Sequence, residues 1–252
     1  MLYFVGAGPG AADLITMRGY KLLTKADVVI YAGSLVNPKL LNFTKEGCEI
    51  HNSAYMTLEE VIKIVKKAEA ENKMTVRLHT GDSSIYGAVR EQMDILEKLG
   101  INYDVVPGVS SFCGAAASIN AEYTLPDVSQ TVIITRMEGR TPVPERESIR
   151  SLAAHKSTMV LFLSSGLTEK LSKELIAGGY KPETPVAVVY KATWPDEKIF
   201  RCTVETLHQT MKENNIENTA LILVGNFLGK DYGRSRLYAP NFTHRFRKGS
   251  DE

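Results

Sequence analysis

The sequence predicts an α/β protein built from two α/β domains. Two observations support this fold class: short apolar strands alternate with amphipathic helices in the first half of the chain, and strands outnumber helices in the second half. A third observation indicates where function lies. The first strand runs directly into the turn Gly6-Ala7-Gly8-Pro9-Gly10, and open α/β sheets place ligands at the carboxyl ends of their strands.

The first half favours a mainly parallel sheet. Apolar or β-branched runs predict strands at 2–5, 26–31, 74–79 and 103–106. Apolar residues with a 3.6-residue period predict helices at 58–67 and 87–99, and the small residues of 114–118 predict a third helix that begins near Ser110 or Ser111. Because strands and helices alternate, residues 1–120 are predicted to form an N-terminal domain with parallel strands.

The second half favours a mixed sheet. Residues 121–130 lack a clear period and are predicted to connect the domains. The domain predicted at 131–240 contains strands at 131–136, 159–163, 185–191, 198–204 and 219–225, and helices near 145–155, 167–178 and 205–214. Residues 192–197 read as the turn of a β-hairpin. Residues 241–252 are predicted to form a flexible tail, with a phosphate-binding arm as the alternative.

Composition narrows the class of protein. Thirty basic and 29 acidic side chains give a net charge of +1, which does not favour a nucleic-acid partner. No apolar run reaches the roughly 20 residues that a membrane span needs, and no signal peptide is recognised, so we expect a cytoplasmic protein without a membrane partner. Cys48, Cys113 and Cys202 are expected to be free thiols. The five histidines show no zinc-ligand spacing, so no protein-bound metal is expected.

The opening turn is a poor match to a dinucleotide-binding loop. Its glycines and Ala11 satisfy only a loose form of the G-x-G-x-x-G/A fingerprint. Pro9 lacks an N–H that a pyrophosphate would use. The next strand carries its acid, Asp27, at its start, whereas a ribose-binding acid belongs near the end of that strand. NAD or FAD binding is therefore disfavoured.

Three later segments give the turn a context: Thr80-Gly81-Asp82-Ser83-Ser84-Ile85-Tyr86-Gly87, Val105-Val106-Pro107-Gly108-Val109-Ser110-Ser111-Phe112 and Thr219-Ala220-Leu221-Ile222-Leu223-Val224-Gly225. Together with the opening turn they resemble, in order and spacing, the tetrapyrrole methylases that use S-adenosylmethionine. The resemblance spans nearly the whole chain.

Residues 125–145, together with Ala32-Gly33-Ser34-Leu35-Val36, are similar to the precorrin-4 and cobalt-precorrin-4 carbon-11 methyltransferases of cobalamin synthesis. Uroporphyrinogen methyltransferases are expected to carry a Gly-Ile-Thr-Ala type of stretch where this chain has Gly108-Val109-Ser110-Ser111. A uroporphyrinogen III or other precorrin methyltransferase is therefore the alternative. The sequence leaves open whether the macrocycle carries cobalt.

The resemblance implies that the methyl donor binds in a cleft between the two domains, and that the opening turn faces a substrate trough. By the family's pattern the donor, S-adenosylmethionine, is contacted by Pro9, Gly81, Asp82, Ser83, Ile85, Tyr86, Ser111, Phe112, Leu163, Tyr190, Thr219, Ala220 and Leu221. The resemblance also implies a homodimer.

Methyl transfer from a sulfonium to carbon requires positioning and exclusion of water more than a nucleophilic side chain. A base is still needed to remove a proton, and the sequence does not identify it. Asp82 is a weak candidate for this base. The favoured interpretation is that it hydrogen-bonds S-adenosylmethionine or caps a helix. Tyr86, Tyr31 and His79 are further candidates, each more typical of a packed aromatic or a hydrogen-bonding wall.

A tetrapyrrole carries acetate and propionate groups, which bind charge-assisted donors. Arg136 and Arg140 lie in the family-specific segment and are predicted to anchor these carboxylates, with ordinary surface arginines as an equal alternative. Ser34 and the backbone around Gly8 and Gly10 are predicted to add neutral donors. Two rival functions are a methylase of the same fold that modifies a macromolecule and a non-catalytic nucleotide-sensing module; the neutral charge disfavours RNA.

Overall fold

The structure is a computed structural model that describes residues 1–250, except for the side chain of Ser34. The predicted α/β fold is confirmed, with a parallel sheet in the N-terminal half and a mixed sheet in the C-terminal half. The chain forms two compact units. Unit 1 comprises Met1–Ser118 and Lys191–Glu197, and unit 2 comprises Ile119–Tyr190 and the described residues from Lys198 onward.

Unit 1 contains a five-stranded sheet in the order β3-β2-β4-β1-β5, in which every pair of neighbours is parallel. Its strands are β1 (Leu2–Gly6), β2 (Val28–Tyr31), β3 (Glu49–Asn52), β4 (Thr75–His79) and β5 (Tyr103–Val106). Its helices are α1 (Met17–Leu23), α2 (Leu58–Ala70), α3 (Arg90–Lys98) and α4 (Ser111–Ser118).

The strand order places a topological switch point at β1 and β4. The chain passes from β1 to β2, which lies beyond β4, and from β4 to β5, which lies beyond β1. The two adjacent strands therefore continue in opposite directions across the sheet, and the crevice at their carboxyl ends is the usual ligand position in such sheets.

Both faces of the parallel sheet are buried. Leu2 and Phe4 pack with Val61 and Val65 of α2 on one face. Val5, Val76 and Leu78 belong to a second cluster of buried residues. Helix α2 begins at a capping box, in which the Thr57 hydroxyl accepts the Glu60 N–H and the Glu60 carboxylate accepts the Thr57 N–H. These features explain why the apolar periods of unit 1 were readable in the sequence.

Unit 2 contains a mixed sheet in the order β6-β7-β10-β8-β9, in which only β6 and β7 are parallel neighbours. Its strands are β6 (Val132–Arg136), β7 (Thr158–Phe162), β8 (Pro185–Tyr190), β9 (Lys198–Thr203) and β10 (Ala220–Val224). Its helices are α5 (Ile149–Ala153), α6 (Thr168–Ala177) and α7 (Leu207–Glu213), and its core includes Met159, Leu161, Leu171, Val188 and Ile222.

Three segments differ from the domain boundaries that the sequence suggested. The predicted connector, 121–130, belongs to unit 2, where Thr158 donates hydrogen bonds to the Tyr123 carbonyl at 2.8 Å and to Ser129 Oγ at 3.0 Å. The described part of the tail folds back on itself, because Arg247 donates to backbone carbonyls within 237–242. The predicted hairpin turn belongs to unit 1, because its backbone and side chains contact that unit.

Candidate functional site

The loops after β1, β4 and β5 meet at the carboxyl edge of the unit 1 sheet. The Ala7 N–H donates to the His79 carbonyl at 2.7 Å. Gly8 and Gly81 exchange two backbone hydrogen bonds, from Gly8 N to Gly81 O at 3.2 Å and from Gly81 N to Gly8 O at 2.8 Å. Beyond the ends of the parallel strands β1 and β4, Gly8 and Gly81 thus form an isolated antiparallel bridge, and these bonds hold the first two motif loops together.

Glycines allow the third loop to join them. A Cβ added to Gly6 would lie 2.5 Å from the Gly108 Cα, and one added to Gly108 would lie 2.2 Å from the Gly81 carbonyl oxygen. Gly81 also has a φ of +59°, which strains any other residue. The three loops therefore touch backbone to backbone, an arrangement we call the glycine junction, and any side chain at these positions would separate them.

Asp82 links two of these loops through its carboxylate. Its Oδ2 accepts the Gly108 N–H at 2.7 Å, and its Oδ1 accepts the Ser84 N–H at 2.9 Å as well as the Ser84 hydroxyl. Partial burial raises the pKa of Asp82, but the hydrogen bonds from Ser84 and Gly108 outweigh it and hold the pKa below its usual value. A carboxylate that is stabilised in this way is a poor proton acceptor, so we favour the linking role over the role of base.

Most of the predicted donor contacts of unit 1 surround the glycine junction. Helix α4 begins at Ser111, whose backbone nitrogen lies 3.2 Å from the position that a Gly81 Cβ would take, and Phe112 follows in its first turn. Ser83 is buried, with 3% of its surface exposed. Ile85 N donates to the Asp82 carbonyl at 3.3 Å. Tyr86 differs from these residues because it has a φ of +54° and is 46% exposed.

Unit 2 brings its own predicted donor contacts to one end of its sheet. Ala220 pairs with Tyr190, and Leu221 pairs with Val189. Ser165 Oγ, two residues after Leu163, donates to the Ala220 carbonyl at 3.1 Å. The carboxyl end of β7 therefore lies beside the start of β10.

Strained backbone occurs at some of the predicted contacts in each unit. Leu163 has a φ of +50° and is 66% exposed, and Thr219 has a φ of +54°. With Tyr86, three predicted contact residues other than glycine adopt left-handed backbone. Such residues are uncommon and concentrate at functional sites, where the surrounding fold compensates for their cost.

The opening turn contributes fewer free donors than the sequence suggested. The Gly8 N–H, predicted to contact substrate, instead donates to Gly81. The carbonyl of Gly10 accepts a 2.8 Å hydrogen bond from the Asn37 side chain, which is buried. A Cβ on Gly10 would lie 2.1 Å from Cδ1 of the Trp194 ring, so this glycine accommodates a neighbouring side chain of the same unit. The Ser34 side chain lies outside the described residues.

Arg136 and Arg140 occupy different environments. Arg136 donates hydrogen bonds to the carbonyls of Met137, Thr141 and Pro142, at 3.4, 3.3 and 2.8 Å, so its guanidinium orders the loop that follows β6. It also lines a cavity of about 320 Å³ with residues that include Glu138 and Lys170. Arg140 is exposed within the same loop. Neither environment tests the predicted contact with substrate carboxylates.

His79 is unsuited to proton transfer near neutral pH. The ring is 5% exposed, and its Nε2 has no hydrogen-bond partner in the described structure. Burial, and then the charge of Arg77, lower the pKa of His79 to about 3.

Tyr31 ends β2, and its carbonyl accepts the Ser53 hydroxyl at 3.0 Å. Within residues 1–250, no group of three or more His, Cys, Asp or Glu side chains is arranged to hold a metal ion.

Comparison with known proteins identifies this arrangement. Residues 1–208 match the family of Tetrapyrrole (Corrin/Porphyrin) Methylases. The chain belongs to the tetrapyrrole methylases. The family prediction made from the four motifs is therefore confirmed, including its closeness to the precorrin-4 and cobalt-precorrin-4 enzymes.

Relatives of this tetrapyrrole methylase are similar over almost their full length. A cobalt-precorrin-4 C(11)-methyltransferase from Methanocaldococcus jannaschii is 57% identical over 245 residues, covering 97% of this chain and 95% of the relative. A precorrin-4 C(11)-methyltransferase from a Sinorhizobium species is 43% identical over 248 residues, covering 98% of both chains.

Two solved structures show the same fold. The X-ray structure of a cobalamin biosynthetic enzyme, cobalt precorrin-4 methyltransferase, is 53% identical and superposes with a TM-score of 0.89, covering 91% of this chain and 96% of that chain. A uroporphyrin-III C-methyltransferase from Thermus thermophilus, complexed with S-adenosyl homocysteine, is 26% identical. It superposes with a TM-score of 0.75 and covers 90% of this chain and 98% of that chain.

The described residues fit an adenosylmethionine. The glycine junction keeps side chains away from the peptide groups at the sheet edge, and Tyr86 and Leu163 each expose a large apolar or aromatic surface. Backbone groups and apolar faces are typical of small-molecule cofactor sites.

In the described part of the chain, no helix is both long and apolar enough to cross a membrane.

Proposed function

We propose that this tetrapyrrole methylase transfers a methyl group from S-adenosylmethionine to carbon 11 of cobalt-precorrin-4, in the synthesis of cobalamin. The observation that carries the proposal is the glycine junction with Asp82, in which the motif loops of a methylase family lie backbone to backbone at the switch point of the sheet. The names of the relatives support the reaction. The cobalt form is favoured because the relative named for it is 57% identical, against 43% for the one named without cobalt.

The chain's own residues have distinct roles in this proposal. When bound, S-adenosylmethionine supplies the methyl group as a sulfonium. In unit 1 the proposed contacts with S-adenosylmethionine are Pro9, Gly81–Ser83, Ile85, Tyr86, Ser111 and Phe112. In unit 2 they are Leu163, Tyr190 and Thr219–Leu221. Because each unit fixes its own segments in the fold, few residues within either unit need further ordering to position the methyl donor, which is the main catalytic requirement of an in-line displacement.

Substrate binding is assigned to polar groups at the other motifs. Arg136 and Arg140 are proposed to meet acetate or propionate groups, and Ser34 and the backbone of the opening turn are proposed to add neutral hydrogen bonds. The acceptor carbon of the tetrapyrrole is already electron-rich, so no nucleophilic side chain is required. We expect the protein to be cytoplasmic and to form a homodimer. Sedimentation of the purified protein would test the homodimer.

The decisive experiment is methyl transfer to a panel of tetrapyrroles. Purified protein is incubated with methyl-labelled S-adenosylmethionine and, separately, cobalt-precorrin-4, precorrin-4 and uroporphyrinogen III. We expect label on carbon 11 of cobalt-precorrin-4, with a higher kcat/KM than for the cobalt-free substrate, as located by NMR of the product.

Two outcomes would contradict the proposal. Label on uroporphyrinogen III alone would place the protein in a different branch of the family. No transfer to any tetrapyrrole, by protein that binds S-adenosylhomocysteine in calorimetry, would exclude the reaction while retaining the cofactor.

A further inference from the structure

The segment Lys191–Glu197, which we call the hairpin tip, connects β8 to β9 yet belongs to unit 1. The sequence indicated only that these residues form a turn. In the structure the hairpin tip reaches the opening Gly-rich turn, where it makes two contacts with consecutive residues. These contacts are unexplained by the fold of the hairpin itself, which needs only that the two strands be connected.

The first contact is a hydrogen bond from backbone to side chain. The Ala11 N–H donates to Thr193 Oγ1 at 2.9 Å, between residues that are 182 positions apart. The second contact is steric. The Trp194 ring and the Ala192 carbonyl lie where a Gly10 Cβ would be, at 2.1 Å and 2.7 Å. Trp194 therefore covers Gly10, and Thr193 holds the next residue, Ala11.

The hairpin tip is built rigidly enough to hold another segment. Lys191 has a φ of +47° and Thr193 a φ of +68°, although β-branched residues rarely adopt left-handed backbone. The Glu197 carboxylate accepts both the Thr193 N–H and the Ser118 hydroxyl, each at 2.5 Å. The Trp194 N–H donates to the Lys191 carbonyl at 3.0 Å. These bonds retain a strained conformation that presents Thr193 to Ala11, and such strain is typical of functional segments.

The opposite side of the turn is also fixed. Asn37 holds the Gly10 carbonyl at 2.8 Å, and Pro9 packs on Gly114 of α4, where a Cβ would lie 2.6 Å from the Pro9 Cβ. With Thr193 and Trp194 in place, the residues Pro9–Ala11 are contacted from three separate parts of unit 1. Without them, the turn would keep the Asn37 and α4 contacts and the local hydrogen bond from the Leu14 N–H to the Ala11 carbonyl.

The geometry points to Thr193 and Trp194 as positioning residues that hold the Gly-rich turn in the conformation that receives the tetrapyrrole. This inference rests on the proposed function, in which the turn faces the substrate. If the hairpin tip releases the turn, the substrate must order Pro9–Ala11 when it binds, and this ordering weakens its binding. Of the proposed contacts with S-adenosylmethionine, only Pro9 lies in this stretch, and it keeps its packing on Gly114. The other proposed contacts lie elsewhere in unit 1 and in unit 2, so the affinity for S-adenosylmethionine should be nearly unchanged.

The test compares Thr193→Val with Thr193→Ser. Valine preserves the β-branched shape but removes the acceptor of the Ala11 N–H, whereas serine keeps the hydroxyl. Hydrogen exchange of the Ala11 amide in the ligand-free protein should accelerate about tenfold or more in the Val variant and stay near wild type in the Ser variant. In steady-state methylation, the Val variant should raise KM for the tetrapyrrole about fivefold to tenfold, with kcat and the Kd for S-adenosylhomocysteine within about threefold.

Three further variants complete the test. Trp194→Phe should keep most of the packing on Gly10 and most of the affinity, whereas Trp194→Ala should raise KM at least as much as Thr193→Val. Leu96→Ala removes a buried side chain of the unit 1 core, away from the turn, and so lowers stability without touching the hairpin tip. Its Ala11 exchange and its KM should stay near wild type under conditions in which the protein remains folded.

Each outcome decides the inference. Wild-type exchange at Ala11 in the Val variant would show that the hairpin tip does not hold the turn. Faster exchange with an unchanged KM would reduce the contact to a structural one, and an equal loss of donor and substrate affinity would also overturn the role. If the wild-type protein methylates no tetrapyrrole, the proposed function and the substrate role fail together, and the exchange result still decides whether the turn is held.

Discussion

Replacing Asp82 by asparagine should loosen the glycine junction rather than remove a catalytic base. The carboxylate accepts the Gly108 N–H at 2.7 Å, the Ser84 N–H at 2.9 Å and the Ser84 hydroxyl. An asparagine retains one acceptor oxygen and presents an NH₂ group in place of the other. At least one of the two backbone N–H groups would then face a donor instead of an acceptor.

The expected cost follows from these bonds. Hydrogen bonds to a charged group are worth about 1.5–3 kcal/mol each, and the lower end applies because Asp82 is only partly buried and water can replace part of the loss. We expect Asp82→Asn to lower the free energy of unfolding by about 1–2 kcal/mol, or Tm by about 2–8 °C for a protein of this size. The Kd for S-adenosylhomocysteine should rise severalfold, measured by calorimetry.

The pH dependence gives an independent check. The pKa of Asp82 is held below its usual value, so its contribution is fully present above the unfolded pKa of about 3.9 and is lost as the pH falls through the lower folded pKa. The stability difference between wild type and Asp82→Asn should therefore be constant from about pH 5 to 8 and shrink below about pH 4. Urea unfolding at several pH values measures it.

One result would refute this reasoning. A catalytic base contributes about 10²–10⁴-fold to rate. If Asp82→Asn lowered single-turnover methylation by that factor while stability and donor affinity stayed at wild-type values, Asp82 would be the base and its hydrogen bonds would be incidental. Ser84→Ala, which removes only the hydroxyl donor, is a matched control and should reproduce a fraction of the stability loss.

Three further predictions concern the other site residues. Leu163→Gly should leave the free energy of unfolding unchanged or raise it by up to about 1 kcal/mol, because it relieves a φ of +50° at an exposed position. The same variant should bind S-adenosylhomocysteine more weakly in calorimetry, and unchanged binding would remove Leu163 from the site. Arg136→Ala and Arg140→Ala should each raise KM for the tetrapyrrole about tenfold and leave the Kd for S-adenosylhomocysteine unchanged. Only Arg136→Ala should also lower Tm, because Arg136 orders its loop. Wild-type kinetics in both variants would make them ordinary loop arginines. His79→Leu should flatten the loss of stability between pH 7 and 5 by about 1–2 kcal/mol, since burial lowers the pKa of His79 to about 3 and only the unfolded chain takes up a proton there; parallel pH curves would contradict this.

The sequence predicted the elements whose side chains are buried on a regular period. Strands β1 and β10 are continuous apolar runs because nearly all of their residues are buried, and α2 shows one apolar face. Strand β3 was missed because it is an edge strand whose first two residues are exposed. Helix α1 was missed because only Gly19 and Leu23 of its residues are buried, which leaves no apolar period to read.

The site was predictable only as far as local motifs carry it. The four segments identified the family and the loops, but the reasons for individual glycines lie in distant residues. Gly10 is predicted to face a substrate trough, and the structure adds a separate reason for glycine there, because its missing side chain makes room for Trp194. Nothing near Gly10 in the sequence signals a tryptophan more than 180 residues later. Close approach of two distant segments leaves no periodic pattern, so its partners appear only in three dimensions.

Unit 1 is built from two separate segments of the chain, and this limits how the protein can be divided into fragments. A fragment ending at Ser118 would lack the hairpin tip, exposing Gly10 and leaving the Ala11 N–H without Thr193. A hybrid gene that joins the first half of one methylase to the second half of another would combine a Gly-rich turn with a foreign hairpin tip. To replace the first half of this chain by that of another methylase and keep these contacts therefore requires two further crossovers flanking 191–197, or paired changes at positions 10–11 and 193–194.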